Sequence, residues 1–231
     1  NLRLNNLKAL GIISKDVNDF APSGVPKWES LNAGQKKEHA RTMEVYAAMV
    51  DYLDMSIGRI VNYLKQEGLY DNTMILFMSD NGANGAPATS YPGNADGKYL
   101  GSFNNTVENR GLPGSLIDMG PGWAQASSSP LRLFKGFTSE GGIRAPLIIK
   151  MPSSGIKHEG QWNKSFVHVS DIMPTVLALT GANYPQETNG TPLKQPIGIS
   201  ILPLLNGETT ALSVEKGMGW ELFEMKGYIK G

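Results

Sequence analysis

The sequence predicts an α/β domain, or a large part of one, and three observations carry that prediction. A long amphipathic stretch closes at Gly68, and within a few residues comes Thr73-Met-Ile-Leu-Phe-Met78, a continuous apolar run too short for a helix. A second short apolar run, Leu147-Ile-Ile-Lys150, lies further on, and Ser170-Asp171 then signals another helix start. Helix, short loop and apolar strand in succession is the rhythm of a parallel sheet flanked by helices.

Taken in order, Asn1 to Leu31 is mixed, with Pro22, Gly24 and Pro26 marking a loop. Asn32 precedes the long helix. Its apolar positions, Tyr46, Met49, Val50, Leu53, Ile57, Ile60, Val61 and Leu64, recur at helical spacing, so one stripe is expected to face a core. Gly68 is the expected C-terminal cap, and Asp71-Asn72 the following turn. Residues 83–130 are rich in Gly, Asn, Pro and Ser, and they read as a long loop suited to wall a substrate pocket. Val167-His-Val169 reads as a third short strand. Ser170-Asp171 is the expected cap of a helix that has Pro174 in its first turn and ends at Thr180-Gly181. Leu202 to Leu205 is a short apolar piece. Gly217 to Phe223 and Tyr228-Ile229 read as strands of an antiparallel meander.

Composition narrows the function classes. Of 231 residues, 40% are hydrophobic, enough for a real core. The 21 basic and 21 acidic residues balance, with no concentrated basic stripe, which argues against a nucleic-acid partner. No apolar run approaches the roughly 20 residues of a membrane span. The absence of cysteine excludes disulfides and thiolate metal sites. The chain starts at Asn1, and Lys226 to Gly231 reads as a strand just beginning, so an incomplete piece of a larger protein is expected.

The best site candidate is Asp80-Asn81 in Ser79-Asp-Asn-Gly82, at the end of the first strand. Ligands in parallel sheets bind beyond the carboxyl ends of strands. Adjacent carboxylate and amide oxygens suit a hard cation, Ca²⁺ or Mg²⁺, but two side chains cannot fill a shell of six to eight oxygens. Taken alone, Asp-Asn-Gly reads as an ordinary solvated turn, and the buried strand in front of it brings the cation-site reading level with that one. Lys135, in Arg132-Leu-Phe-Lys-Gly-Phe137, reads in isolation as surface charge. Its ammonium is also suited to hold an anionic oxygen and offset charge on a leaving group. Glu140-Gly-Gly-Ile-Arg144 leads into a strand, which favours a structural role for Arg144. His39 is expected on the polar side of the helix and His158 in an exposed loop. His168 is expected to be a hydrogen-bonded structural histidine near a strand end.

Several blocks then fall in one order. They are Met43 to Asp51 with Ile57-Gly-Arg59, Asp71 to Gly82, Gly122-Trp-Ala-Gln-Ala126, Arg132-Leu-Phe-Lys135, Ser139 to Pro146, Val169 to Thr175, and Gly219-Trp-Glu-Leu-Phe223. Together they resemble the bacterial arylsulfatases of the formylglycine-dependent sulfatase family, from about Leu7 to the end. The resemblance implies an alkaline-phosphatase-like α/β sandwich with a mostly parallel sheet. Residues 1–212 would be the later part of the catalytic domain, and 213–231 the start of a small antiparallel C-terminal subdomain. It implies hydrolysis of small-molecule or carbohydrate sulfate esters with a divalent metal, usually Ca²⁺. Asp80 and Asn81 match the later pair of metal ligands, and Lys135 matches the lysine that grips the sulfate. A bacterial periplasmic or cytoplasmic location is the corresponding expectation.

The family's nucleophile is a formylglycine made from Cys or Ser in a C/S-x-P-x-R motif early in the chain. No block matching that region is present, so this piece alone is expected to be inactive. Ser128-Ser-Pro-Leu-Arg132 fits the pattern on paper but sits in the lysine block after a loop, and a Ser-rich turn is the preferred reading. A phosphate or phosphonate ester hydrolase of the same superfamily is the alternative enzyme, and a non-catalytic relative the alternative class.

Overall fold

The computed structural model describes residues 2–91, 93–152, 160–212 and 217–230. The chain divides into two units. One comprises Asn1–Leu64, Phe77–Ile148 and Gly219–Tyr228; the other comprises Lys65–Leu76, Ile149–Met218 and Ile229–Gly231.

In the first unit, helix α1 (Leu2–Ala9) precedes a loop and the long helix α2 (Ala33–Gln66). Asn32 starts α2 by a reciprocal cap. Its Oδ1 accepts from the Gln35 N–H at 2.9 Å, and the Gln35 side chain accepts from the Asn32 N–H at 3.0 Å. Gly68, at φ 68°, ends the helical run where a side chain would be strained. The N-terminal half of α2 is held by polar clamps. The Arg110 guanidinium donates to the Glu38 carbonyl and to Thr42 Oγ1, and Trp123 Nε1 donates to the His39 carbonyl. Trp28 packs at a tilt against Trp123.

The expectation that the α2 stripe faces a core is corrected here. Met49 is 66% exposed and Ile60 62%, and Val50 and Leu53 are also exposed. The periodicity is sound, but the described residues supply no apolar surface opposite it. The enclosed apolar side chains of this unit are instead Ala124 and Phe134, with Phe134 edge-on to Phe137.

Strands β1 (Ile75–Met78) and β2 (Leu147–Lys150) are hydrogen-bonded neighbours. Both are less enclosed than their apolar runs predict: β1 is half-buried throughout, and Leu147 and Ile148 are exposed. Residues 83–130 contain more structure than their composition predicts. Helix α3 (Lys98–Gly101) and helix α4 (Gly120–Ser128) both fall there, as does a 3₁₀ turn at Ala88–Ser90. Helix α5 (Glu140–Ile143) then leads into β2.

In the second unit, the expected strand at 167–169 is absent. Val169–Asp171 is a 3₁₀ turn that runs into helix α6 (Ile172–Thr180). The His168 side chain accepts from the Ser170 N–H, and the Asp171 carboxylate accepts from the His168 N–H at 2.8 Å. The β-branched neighbours of His168 suggested extension, but reciprocal capping decided the local backbone. Gly181, at φ 69°, closes α6 as expected. Strands β3 (Glu187–Thr188) and β4 (Thr191–Pro192) form a short antiparallel hairpin, and helix α7 (Leu202–Leu205) follows. Thr175 is fully buried: its hydroxyl donates to the Asp171 carbonyl and accepts from the Ile201 N–H.

Strands β5 (Met218–Leu222) and β6 (Met225–Ile229) pair around Phe223 and Glu224, both at positive φ. Two such residues in a two-residue connection make a tight hairpin turn. Among the described residues the strands thus form three two-stranded sheets rather than one extended sheet. The proposed boundary at residue 213 and His158 both lie outside the described residues.

Candidate functional site

The site is built where β1 ends and where the segment between α4 and α5 passes it. Beyond β1 the backbone leaves the sheet at Ser79, whose Oγ donates to the Asn81 carbonyl at 2.9 Å and tightens the turn. Asp80 is exposed and Asn81 half-buried. Asn81 Nδ2 donates to Asp80 Oδ1 at 2.7 Å, so the two side chains converge. Among the described residues no other hydrogen bond reaches the Asp80 carboxylate. A carboxylate left with spare lone pairs at a strand end is free to take a ligand.

The segment that carries Lys135 is laced to this turn through its backbone. The Lys135 N–H donates to the Ala83 carbonyl at 2.9 Å. The Gly82 N–H donates to the Gly142 carbonyl, also at 2.9 Å. Such close passage requires residues without side chains. A Cβ on Gly82 would stand 1.8 Å from the Gly141 carbonyl oxygen, and one on Gly141 would stand 1.9 Å from that of Leu133. The glycines of Glu140-Gly-Gly therefore permit backbone-to-backbone packing. Arg144 pairs with Glu140 at 3.3 Å on the surface, a local brace rather than a site group. The expected candidates Asp80, Asn81 and Lys135 thus lie on two strands of loop bonded to each other.

A divalent cation can be tested against these donors. The side-chain oxygens of Asp80 and Asn81 are hard ligands of the kind Ca²⁺ and Mg²⁺ take. With the Asn81 amide turned to present its oxygen, both would face one ion. Among the described residues no group of three His, Cys, Asp or Glu gathers to complete a shell. The pair fits a metal as a partial set of ligands.

The remaining candidates are accounted for by their local surroundings. His168 Nδ1 lies 2.8 Å from Ser170 Oγ, within the 3₁₀ cap of the second unit. Ser128 Oγ is buried without a hydrogen-bond partner among the described residues, so no base touches it. A serine nucleophile needs both access and a base in reach. Sequence reasoning assigned no role to Gln125 or Trp220. Gln125 bonds the backbone at Leu131 and Leu133, and Trp220 Nε1 donates to the Thr138 carbonyl at 2.9 Å. Their only sequence signal was membership of the Gly122 to Ala126 and Gly219 to Phe223 blocks.

A family model described as Sulfatase matches residues 16–182. Over the whole chain, 42% of residues are identical to an uncharacterised sulfatase of Schizosaccharomyces pombe, with 42% of that protein covered. An arylsulfatase of Klebsiella aerogenes is 35% identical over 86% of the chain and 42% of its own length. A sulfatase of Formosa agariphila is 30% identical over 78% of the chain and 26% of its own length. The chain therefore spans less than half the length of these relatives.

Proposed function

Because this chain belongs to the sulfatase family, we propose that it supplies one side of a site that hydrolyses sulfate esters to an alcohol or phenol and sulfate. The observation that carries this is the lacing of the Lys135 turn onto the Asp80-Asn81 turn through Lys135 N–H to Ala83 O and Gly82 N–H to Gly142 O. It brings the backbone of Lys135 and that of the Asp80-Asn81 turn onto adjoining loops, which supports a shared site for an anionic ester head.

In the proposed mechanism each residue has one task. Asp80 and Asn81 would hold a divalent cation, Ca²⁺ or Mg²⁺, and that ion supplies charge to orient and polarise the sulfate oxygens when bound. Lys135 donates from Nζ to a sulfate oxygen and offsets negative charge as the ester bond breaks. Its backbone bond to Ala83 holds that turn, so little reorganisation accompanies the reaction. The nucleophile implied by the family is a formylglycine; the chain contains no cysteine from which one could be made. The substrate class is a small-molecule or carbohydrate sulfate ester. Among the described residues no helix is long and apolar enough to cross a membrane.

The test uses protein produced from the whole coding sequence, with an aryl sulfate and the matching aryl phosphate as substrates. Sulfate turnover well above phosphate turnover is expected. Lys135→Ala should lower kcat by about 10²- to 10³-fold, the range for loss of one charge-stabilising donor, with an unchanged melting temperature. Preferential phosphate hydrolysis would move the protein to the phosphate or phosphonate ester class. Full sulfatase activity in the Lys135 variant would remove that residue from the chemistry.

A further inference from the structure

The turn that presents Lys135 is strained, and one buried side chain holds it in that state. Leu133, two residues before the lysine, has φ 62°, the left-handed region that L side chains rarely adopt. Strain of this kind persists only where the surroundings over-determine it, and it concentrates at functional sites. Here the surroundings are specific. Gln125 of α4 is 5% exposed, and both ends of its amide are used on the strained turn. Its Nε2 donates to the Leu131 carbonyl at 2.8 Å, and its Oε1 accepts from the Leu133 N–H at 3.0 Å. The Arg132 carbonyl between them accepts from Ser139 Oγ and from the Gly141 N–H. Every peptide group flanking Leu133 on its N-terminal side is thereby fixed.

We infer that Gln125 is a positioning residue for Lys135: its amide locks Leu133 in the left-handed conformation and so sets the direction in which the lysine leaves the turn. The inference rests on the proposed role of Lys135 in gripping sulfate. It follows from the chemistry of the amide, which alone among uncharged side chains of that length donates and accepts at once. Without the clamp, Leu133 relaxes toward negative φ, and the chain beyond it rotates. Lys135 is then displaced relative to Asp80 and Asn81. Misplacement by about 1 Å can cost on the order of 10²-fold in rate.

The experiment compares four proteins made from the whole coding sequence and assayed on an aryl sulfate: the parent, Gln125→Met, Gln125→Met with Leu133→Gly, and Gln125→Met with Lys135→Ala. Methionine keeps the volume and removes both bonds. Gln125→Met is expected to lower kcat by about 10- to 100-fold with KM within about threefold. Adding Leu133→Gly should restore most of that loss, because glycine holds φ near 62° without strain. In the Lys135→Ala background, Gln125→Met should cost nothing further, which loss of stability alone would not produce. If Gln125→Met does not yield folded protein, Gln125→Glu replaces it throughout. That variant keeps the acceptor for Leu133 and loses the donor to Leu131, and the same pattern is expected. Parent-level kcat in the Gln125 variant, or an equal penalty with and without Lys135, would overturn the inference alone. A parent protein inactive on sulfate esters would overturn the function proposal and this inference together.

Discussion

Asp80 follows the end of a strand and Asp171 immediately precedes a helix, and the structure treats the two aspartates in opposite ways. Asp171 is 7% exposed and fully employed. One carboxylate oxygen accepts from the His168 N–H at 2.8 Å and the other from the Ile199 N–H at 2.9 Å. The packing around it is tight enough that a Cβ on Gly198 would stand 2.1 Å from the Ser170 carbonyl oxygen. Asp80 is exposed and its carboxylate meets the Asn81 amide alone among the described residues. A carboxylate whose lone pairs are consumed by backbone donors is a fastener. One that the fold leaves unsatisfied is available to a cation. The difference is invisible in residue type and lies wholly in the partners.

The comparison is sharpest under substitution. Asp80→Ala should lower sulfate-ester turnover by about 10²-fold or more while the folded protein keeps its melting temperature, since exposed positions usually change stability by less than about 0.5 kcal/mol. Asp171→Ala should do the reverse. It orphans two backbone donors near a buried carboxylate site, so a loss of about 2–4 kcal/mol in urea unfolding is expected. If Asp80→Ala instead unfolds the protein and Asp171→Ala abolishes activity at full stability, the two roles have been exchanged.

A calcium titration followed by melting temperature sharpens the same contrast. At about 100 times the dissociation constant, an ion that binds only the folded state adds about 2.7 kcal/mol. The parent and Asp171→Asn, provided the latter folds, should both show that upward shift. Asp80→Ala should show little of it.

A third carboxylate, Glu108, gives the smallest effect. Its carboxyl is held below the ordinary range, first by its own backbone N–H and then by the ammonium of Lys37 at 3.1 Å. A folded-state value below the unfolded one means stabilisation that is complete above the unfolded value and lost as pH falls through the folded one. Glu108→Gln should therefore slightly flatten the acid limb of a stability–pH profile. Added salt should shrink the Lys37 part of the difference, because both partners of that ion pair are exposed, and leave the part due to the backbone N–H.

Legibility in the sequence followed the range of the interactions. The start of α2 was readable because Asn32 and Gln35 cap it within four residues, and Gly68 marks its end locally. The β1 end at Asp80-Asn81 was readable because an apolar run stops there. Helix α4 was hidden because Gly120-Pro-Gly122 reads as a turn, although glycine and proline are acceptable in the first helical turn. The strand expected at His168 failed because side-chain capping outweighed the extended preference of two valines. The Gln125 clamp left no periodic trace, since its bonds reach six and eight residues along the chain into an irregular turn. The α2 stripe was read correctly as apolar, yet among the described residues nothing covers Met49 or Ile60.

The most direct test is a crystal structure of the protein from its whole coding sequence, grown with Ca²⁺ and a slowly hydrolysed sulfate ester analogue. A cation about 2.3–2.6 Å from oxygens of both Asp80 and Asn81 is expected, with Lys135 Nζ about 2.7–3.2 Å from a sulfate oxygen. A cation bound elsewhere, or Lys135 turned away from the sulfate with Asp80 bearing only water, would contradict a shared site.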